Sequence, residues 1–479
     1  MRAYLRFPAI LLCSLSLSGC MHDIGARFSQ FSLDTPYTQD QDNTEITAES
    51  LNDYAQQGWW HVYEDEELNT FMLLAFANNP DLNQIRARLA QASALRTRTN
   101  ASRLPSLNVN ADRGTQNGDN AGSSDFNLSG AASFEIDLWG KNHANYTSDL
   151  LEEQASREDL YAGAISLSAS IVENWLDILS LLEQADLIRR QIDINETVLS
   201  LQEKRFEMGT SSALDVLQQE ETLARSQAQL PDILSAQKQA ANNLSTLMGM
   251  VPYDGLRVTK KKFPAPTAIP DAGLPSELLG NRPDIEAAWL RLQSSNWAAK
   301  AAWADRLPQF DLSATYSTNA TKLGSLFNTW LLDLAAQLSA PVFDGGQRKA
   351  EQIRQEALSD ERFHIYRDVV LNAVNDVENS LTENIYTDQK IAALEKQLEA
   401  ARRTLEQAQL SYANGSSNYI NVLNSLNSTQ SLEQQIATEK LAQAKSRVTL
   451  YRVLGGRSWA QHISPSVSQG IIKKIYEGH

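Results

Sequence analysis

The feature that most constrains this fold is the two-residue alternation of residues 126–138, FNLSGAASFEIDL. Apolar or small side chains take one set of alternate positions, and almost wholly polar side chains take the other. Successive side chains of a strand point to opposite faces, so this run predicts a β-strand with two unlike faces, long enough to cross a bilayer. The alternation recurs three times, and the predicted strands cover about 104–113, 126–138, 309–318 and 330–342.

The connecting segments bear on whether these strands form a membrane sheet, because an ordinary half-buried sheet shows the same alternation. Polar loops at 114–124 and 318–329 join the strands in pairs at one end, and predicted long helices leave from the other end. Four strands cannot close, since small membrane barrels start at about eight strands and open edges are not tolerated in hydrocarbon. We therefore expect the chain to oligomerise around a water-filled pore.

The sequence is also internally duplicated. Pro80 in Asn79-Pro80-Asp81-Leu82 recurs 203 residues later as Pro283 in Arg282-Pro283-Asp284-Ile285, and Gly209 recurs 206 residues later as Gly415. Each half reads helix, strand, loop, strand, long helix, turn, long helix. The predicted division is a first repeat at 66–251, a Pro-rich equatorial linker at 252–283, a second repeat at 284–456 and a C-terminal tail at 457–479.

The long helices of each half are predicted to form an antiparallel hairpin. Apolar positions from Ile391 to Tyr412 alternate spacings of three and four, which is a heptad seam, and Asn195 interrupts the matching seam of the first half. The hairpin tips are predicted at 207–212 and 413–418, where a glycine ends each long helix. The helices alone would also fit a lipid-anchored periplasmic coiled-coil adaptor, but that alternative leaves the four strands unexplained.

The N-terminus carries an export signal. Arg2 and Arg6 precede a short apolar run and then Leu17-Ser18-Gly19-Cys20, which resembles a bacterial lipobox. This predicts a signal peptide at 1–19 and a mature chain that begins at Cys20, with S-diacylglycerol and N-palmitoyl groups on that residue. Met21 favours sorting to the outer membrane. Residues 20–65 are predicted to be a lipidated N-terminal segment that contributes to an equatorial belt.

Charge and motif content argue against several classes of function. The formal net charge of -16 argues against nucleic acid as a partner. The six histidines show no metal-ligand spacing, and no nucleophile elbow or phosphate loop is present, so we predict no metal site, no cofactor and no enzymatic activity. After the signal segment, we expect no stretch that approaches the roughly 18 apolar residues of a membrane helix.

Together these features resemble the outer membrane factor family, the TolC/OprM-like efflux and secretion ducts. The motifs that carry the resemblance are Trp59-Trp60, Asn79-Pro80-Asp81-Leu82, Asp137-Leu138-Trp139-Gly140-Lys141, Asn281-Arg282-Pro283-Asp284-Ile285, Pro341-Val342-Phe343-Asp344-Gly345-Gly346 and both hairpin tips. The resemblance implies a mixed α and β fold in a homotrimer. Four strands per protomer would build a transmembrane β-barrel, continuous with a long periplasmic α-helical barrel and surrounded by an equatorial domain.

The resemblance also implies partners and sites. The outer membrane lipid, a periplasmic adaptor (membrane fusion) protein and an inner-membrane efflux pump are the implied partners. The adaptor would contact Arg205, Gly209, Thr210, Ser211, Gly415, Ser416 and Ser417, and a periplasmic constriction would be lined by Asp215, Asn421 and Asn424. Relatives often carry acidic residues in place of the two asparagines and a basic residue in place of Ser417. We therefore expect a weaker ionic lock here, with at most one ring of carboxylates.

The implied function is passive conduction of drugs or other small solutes from the periplasm to the exterior. An exit duct for type I secretion of peptides or proteins is the alternative within the same family.

Overall fold

The computed structural model describes residues 58–115, 124–252, 258–259, 262–265, 267 and 278–456. The predicted signal peptide, Cys20 and the C-terminal tail lie outside these residues. The described helices of more than five residues are α1 (Glu66–Asn78), α2 (Pro80–Ala101), α3 (Lys141–Glu207), α4 (Ala213–Leu247), α5 (Pro283–Ala304), α6 (Gln347–Ala413) and α7 (Tyr419–Val453). The described strands are β1 (Ser106–Thr115), β2 (Ser124–Ile136), β3 (Gln309–Ala320) and β4 (Leu331–Ser339).

The duplication is visible in the lengths of the elements. Helices α2 and α5 each have 22 residues, α3 and α6 each have 67, and α4 and α7 each have 35. At 1.5 Å per residue, α3 and α6 are each roughly 100 Å long. Helices α2 and α5 begin at equivalent prolines 203 residues apart, whereas α3 and α6 begin 206 residues apart. The second repeat therefore carries three extra residues around its strand pair.

The four strands form one antiparallel sheet in the order β1-β2-β3-β4, so the two repeats meet at the β2–β3 pair. The strand bounds differ from the predicted ones by a few residues. Strand β2 ends at Ile136 because the Asp137 carboxylate accepts a hydrogen bond from the His143 N–H (2.8 Å) and so belongs to the start of α3. Strand β4 ends at Ser339, two residues before Pro341, which has no N–H to donate to a ladder.

The main apolar core surrounds α3 between the sheet and the hairpin tips. Tyr63 lies edge-on to Trp175 in this core, with ring centres 5.5 Å apart, and the Trp59 indole donates to the Ser168 hydroxyl (3.0 Å). One window of α3 is apolar enough to cross a membrane, with mean hydropathy 1.3, and 61% of it is buried inside the protein. The expectation that no such stretch exists was therefore wrong. Its apolar character is explained by burial on several sides, since this part of α3 lies in the core.

Candidate functional site

The sheet has one apolar face and one polar face. Residues paired directly across antiparallel strands point to the same side, so the register assigns each residue to a face. One row across the sheet runs Leu107, Ala132, Ala314 and Leu334, and the adjacent row runs Ser106, Ser133, Ser313 and Ala335. The Ser106 and Ser133 hydroxyls of the second row are 2.7 Å apart. These two rows are the structural counterpart of the predicted alternation.

Aromatic side chains lie at both ends of the sheet. The Tyr316 and Trp330 rings stack with centroids 4.5 Å apart, and Phe327 lies beside them near the β3–β4 connection. At the opposite end, the exposed Trp139 donates its indole N–H to the Pro308 carbonyl oxygen (2.6 Å). Aromatic residues at both edges of an apolar band are typical of strands that cross an outer membrane.

The first hairpin tip is a Schellman turn that closes α3. Gly209 has φ 73° and donates its N–H to the Phe206 carbonyl, and the Thr210 N–H donates to the Arg205 carbonyl (both 2.8 Å). The Thr210 hydroxyl donates to the same Arg205 oxygen (3.0 Å). Glycine is needed here because the left-handed conformation is unfavourable for residues with a Cβ atom.

The second tip repeats this geometry 206 residues later. Gly415 has φ 72° and donates to the Tyr412 carbonyl (3.0 Å), and the Ser416 N–H and hydroxyl both donate to the Ser411 carbonyl (2.9 and 3.0 Å). The seven residues predicted to contact an adaptor therefore lie together at the ends of the two hairpins. Most of them are exposed, and Arg205, Ser211 and Ser417 are half-buried.

Asp215 lies at the third residue of α4 and completes a capping box with Ser212. Its Oδ2 atom accepts from the Ser212 N–H and from the Ser211 hydroxyl, both at 3.1 Å. The equivalent residue of the second hairpin, Asn421, donates its side-chain amide to the Ser417 hydroxyl (2.9 Å). Asp215 and Asn421, two of the three predicted constriction residues, therefore take part in tip structure, and Asn421 and Asn424 are exposed in the protomer.

Tyrosine and glutamine side chains join the two tips. The buried Gln202 Oε1 atom accepts from the Ser211 hydroxyl (3.0 Å) and from the Tyr412 hydroxyl (3.1 Å). The Tyr419 hydroxyl donates to Gln219 Oε1 (2.6 Å). Burial is the main cause of the raised pKa of the Tyr419 phenol, which therefore stays a neutral donor at physiological pH. The Tyr412–Gln202 and Tyr419–Gln219 hydrogen bonds between the two tips therefore involve neutral groups.

Above the tips, a ladder of buried amides fills the contact between α3 and α7. Asn195 is fully buried, and its amide nitrogen donates to the Ser226 hydroxyl of α4 (2.9 Å) and contacts Gln430 Oε1 of α7 (3.5 Å). One turn away, Gln434 donates to Gln191 Oε1 (2.7 Å). Asn195, which interrupts the apolar heptad seam, therefore hydrogen-bonds the first hairpin to the second.

A buried arginine ties the equatorial linker to the second hairpin. The Arg447 guanidinium donates to the Thr267 carbonyl (3.2 Å), to the Asp388 carboxylate (2.8 Å) and to the Asn384 side-chain oxygen. The Thr267 carbonyl belongs to the predicted linker at 252–283, so this arginine fixes a described part of that segment on the long helices.

Sequence reasoning missed Gln202, Gln219 and Tyr419, since none belongs to a motif, and it placed Tyr412 on the heptad seam without its hydrogen bond. The sequence indicated their role only through their place in the helical periodicity. An amide or phenol at a buried position needs a hydrogen-bond partner. Within the described part of the chain, no group of three or more His, Cys, Asp or Glu residues is placed to hold a metal ion.

Comparison with known proteins defines the class to which this two-faced sheet and these hairpins belong. The sequence matches the outer membrane efflux protein family over residues 73–250 and 274–456. Among curated relatives, the pyoverdine export outer membrane protein OpmQ of Pseudomonas aeruginosa is 31% identical over 431 residues, covering 87% of this chain and 89% of OpmQ. The cation efflux system protein CusC of Escherichia coli is 25% identical over 421 residues, covering 86% and 90%.

Solved structures share the fold. A CusC structure aligns with TM-score 0.78 at 21% identity, covering 89% of this chain and 97% of CusC. The outer membrane protein VceC of Vibrio cholerae aligns with TM-score 0.77 at 23% identity, covering 83% and 98%.

The chain belongs to the outer membrane efflux protein family. It is an outer membrane efflux channel with a mixed α and β fold and a periplasmic extension, which confirms the predicted family, fold class and location. This family consists of outer membrane efflux proteins. The hypothesis of a lipid-anchored coiled-coil adaptor was therefore wrong.

Proposed function

We propose that the chain forms a homotrimeric duct that passively conducts drugs or other small solutes across the outer membrane. The observation that carries the proposal is the four-stranded sheet, which has one apolar face and one polar face and whose edge strands β1 and β4 each pair on one side only among the described strands. Three such sheets joined edge to edge would supply twelve strands, which closes a membrane barrel and satisfies every edge. The polar rows would then line the water-filled interior.

The choice of small solutes is supported by the relatives. OpmQ is named for export of pyoverdine and CusC for efflux of cations, and the 31% identity to OpmQ extends over most of both chains. These names favour small solutes over secreted peptides or proteins. The energy for transport would come from an inner-membrane pump. The glycine turns of the two tips would present Arg205, Thr210 and Ser416 to a periplasmic adaptor.

Single-channel recording tests the duct itself. Purified full-length protein, first shown by native mass spectrometry to be a trimer, should give discrete conductance steps in planar bilayers. A strain that lacks the gene should retain more of a fluorescent small-molecule efflux substrate than the complemented strain. A monomeric protein without conductance would overturn the proposal.

Asp215 is proposed to influence ion selectivity, because three carboxylates in a narrow ring favour cations. Asp215→Asn removes the charge and keeps an oxygen that accepts the capping-box hydrogen bonds. The variant should therefore shift the reversal potential in a salt gradient without loss of trimer. An unchanged cation preference in this variant would show that Asp215 does not line the constriction.

Cys20 is proposed to carry S-diacylglycerol and an N-palmitoyl group. Support comes from the lipobox-like sequence and from a Salmonella typhimurium relative, SilC, described as a probable outer membrane lipoprotein and 25% identical over 420 residues. Intact mass spectrometry should show the added lipid in the wild type and its loss in Cys20→Ala. An unmodified wild-type chain would contradict the assignment.

A further inference from the structure

Among the strand residues that the structure describes, Arg113 is the only charged residue on the apolar face. It pairs with Phe126 of β2, which pairs in turn with Ala320 of β3, so these three residues form one row across the sheet. Phe126 and Ala132 are separated by an even number of positions along β2, and the row therefore belongs to the apolar face. A charge on a lipid-facing surface is costly at the middle of a bilayer and is tolerated near its boundary. The depth of Arg113 therefore decides what it can contact.

That depth follows from the strand geometry. The Arg113–Phe126 row and the Ile136–Phe310 row are separated by about 34 Å along β2, at 3.4 Å per residue. With a strand tilt of about 40°, the two rows differ in height by about 26 Å, close to the roughly 25 Å apolar band of outer membrane barrels. The strands continue into the periplasmic helices at the Ile136 end, where Trp139 is exposed. Arg113 therefore lies at the external boundary of the apolar band.

The carboxylates closest to Arg113 in the sheet face the opposite side. Asp112 is its neighbour in sequence, and Asp125 pairs with Gly114, so both carboxylates belong to the polar face. The exposed Arg113 guanidinium packs over the Phe126 ring, with its carbon 5.4 Å from the ring centre, and forms no ion pair among the described residues. This contact orients the guanidinium and leaves its N–H donors available to an acceptor outside the chain.

The connection between β3 and β4 lies against the same face of the sheet. Thr318 belongs to the apolar face, since it pairs with Leu128, and its hydroxyl donates to the Leu326 carbonyl. Trp330 stacks on Tyr316, which also belongs to the apolar face. Both contacts place the second half of this connection on the lipid side of the sheet, at its external end.

This connection exposes both apolar side chains and a second cation. Leu323 and Phe327 are 63% and 64% exposed, and Lys322 is exposed two residues beyond Ala320. Ala320 and Arg113 lie two strand spacings apart in the same row, which is about 10 Å. The external edge of the apolar face therefore combines two cations with exposed apolar side chains. Anionic lipids bind to surfaces of this composition, because the headgroup contacts the cations and the acyl chains contact the apolar side chains.

We infer that Arg113 and Lys322 bind the phosphate groups of the glycolipid that forms the external leaflet of the outer membrane. The inference rests on the proposed barrel, in which the apolar face of the sheet contacts lipid. The Arg113 guanidinium binds a phosphate through two parallel N–H···O hydrogen bonds, and the Lys322 ammonium acts as a point charge. Leu323 and Phe327 contact the upper part of the acyl chains. In the closed barrel, β1 lies beside β4 of the next copy, so each site borders a second protomer.

Lipid binding to the purified full-length trimer tests the site. Bisphosphorylated lipid A is titrated onto delipidated protein, and the bound molecules are counted by native mass spectrometry. Arg113→Gln should weaken binding about tenfold, the lower end of what the loss of charge-assisted hydrogen bonds causes. Arg113→Lys keeps the charge but not the planar fork, so its affinity should fall between those of Arg113→Gln and the wild type. Lipid A without its phosphates should bind the wild type and Arg113→Gln equally.

Arg103→Gln is the matched control, because it removes the same charge at the other end of the sheet. Arg103 is also exposed and packs over an aromatic ring, with its guanidinium carbon 4.7 Å from the centre of Tyr146, but it precedes β1 on the periplasmic side. Its substitution should leave lipid A binding at the wild-type level.

Three results would overturn the inference: equal loss of binding in Arg103→Gln and Arg113→Gln, undiminished binding in Arg113→Gln, or binding of phosphatidylglycerol as tight as that of lipid A. The Arg113 variants should remain trimers with wild-type conductance in planar bilayers. A wild-type protein that neither forms trimers nor conducts would instead overturn the proposed function, so the two failures are distinguishable.

Discussion

Substitution of two adjacent residues of β4 tests the assignment of the two sheet faces. Leu334 is 70% exposed in the protomer and lies on the apolar face near the middle of the nine-residue strand, and Ala335 lies on the polar face at nearly the same depth. An arginine on the lipid face at the bilayer midplane costs about 2–4 kcal/mol, whereas a residue facing a water-filled lumen stays hydrated. We expect Leu334→Arg to lower the folded-to-unfolded ratio by about 30- to 700-fold, since 1.4 kcal/mol is tenfold.

The assay is urea unfolding in liposomes, followed by the change in gel migration between folded and heated samples. Ala335→Arg carries the same charge and volume one residue away, so it should unfold close to the wild-type midpoint. Its added charge ring should instead change the reversal potential in a salt gradient. Equal destabilisation by the two substitutions would refute the assignment of faces, because it would place both side chains in the same environment.

Three further substitutions probe the tips and the equator. Gly209→Ala should destabilise the first tip by about 1–2 kcal/mol, because a left-handed φ of 73° is unfavourable for alanine although its Cβ would meet no atom within 4 Å; thermal unfolding by circular dichroism measures the loss. Tyr419→Phe leaves the buried Gln219 oxygen without its 2.6 Å donor, and it should cost about 1–3 kcal/mol and speed hydrogen exchange at the tip helices. Arg447→Met removes the guanidinium that bonds Thr267, Asn384 and Asp388, and it should cost about 1–3 kcal/mol, seen as faster proteolysis of the linker.

Periodicity and repetition predicted most of this fold, because both are properties of backbone geometry. A strand that faces lipid on one side and water on the other must alternate, so four segments could be placed to within a few residues. A helix of 67 residues that ends at a glycine needs only an unbroken pattern and a C-terminal turn. Strand ends were less predictable, because alternation carries no information about what stops the pairing. Asp137 caps the start of α3 through a hydrogen bond, and Pro341 has no N–H to donate to the ladder.

The contacts between hairpins could not be read from sequence for a different reason. The sequence does not show whether a glutamine at a seam position is solvated or buried. Its burial depends on which helix packs beside it. Gln202 is buried beneath Tyr412, whereas Gln407, five residues before that tyrosine, is exposed. For the same reason, the sequence did not reveal that one segment of α3 is apolar enough to cross a membrane and is instead mostly buried in the core.

Duplication explains why equivalent positions of the two hairpins are free to differ. Asn195 and Gln430 are buried and hydrogen-bond to each other, whereas their equivalents 206 residues away are Ala401 and Ala224. A buried amide is stable only where it finds partners. The chain itself tethers α3 to α7, so the ladder through Asn195 and Gln430 can form there, and the repeat leaves the equivalent positions free to carry small residues with no amide to satisfy.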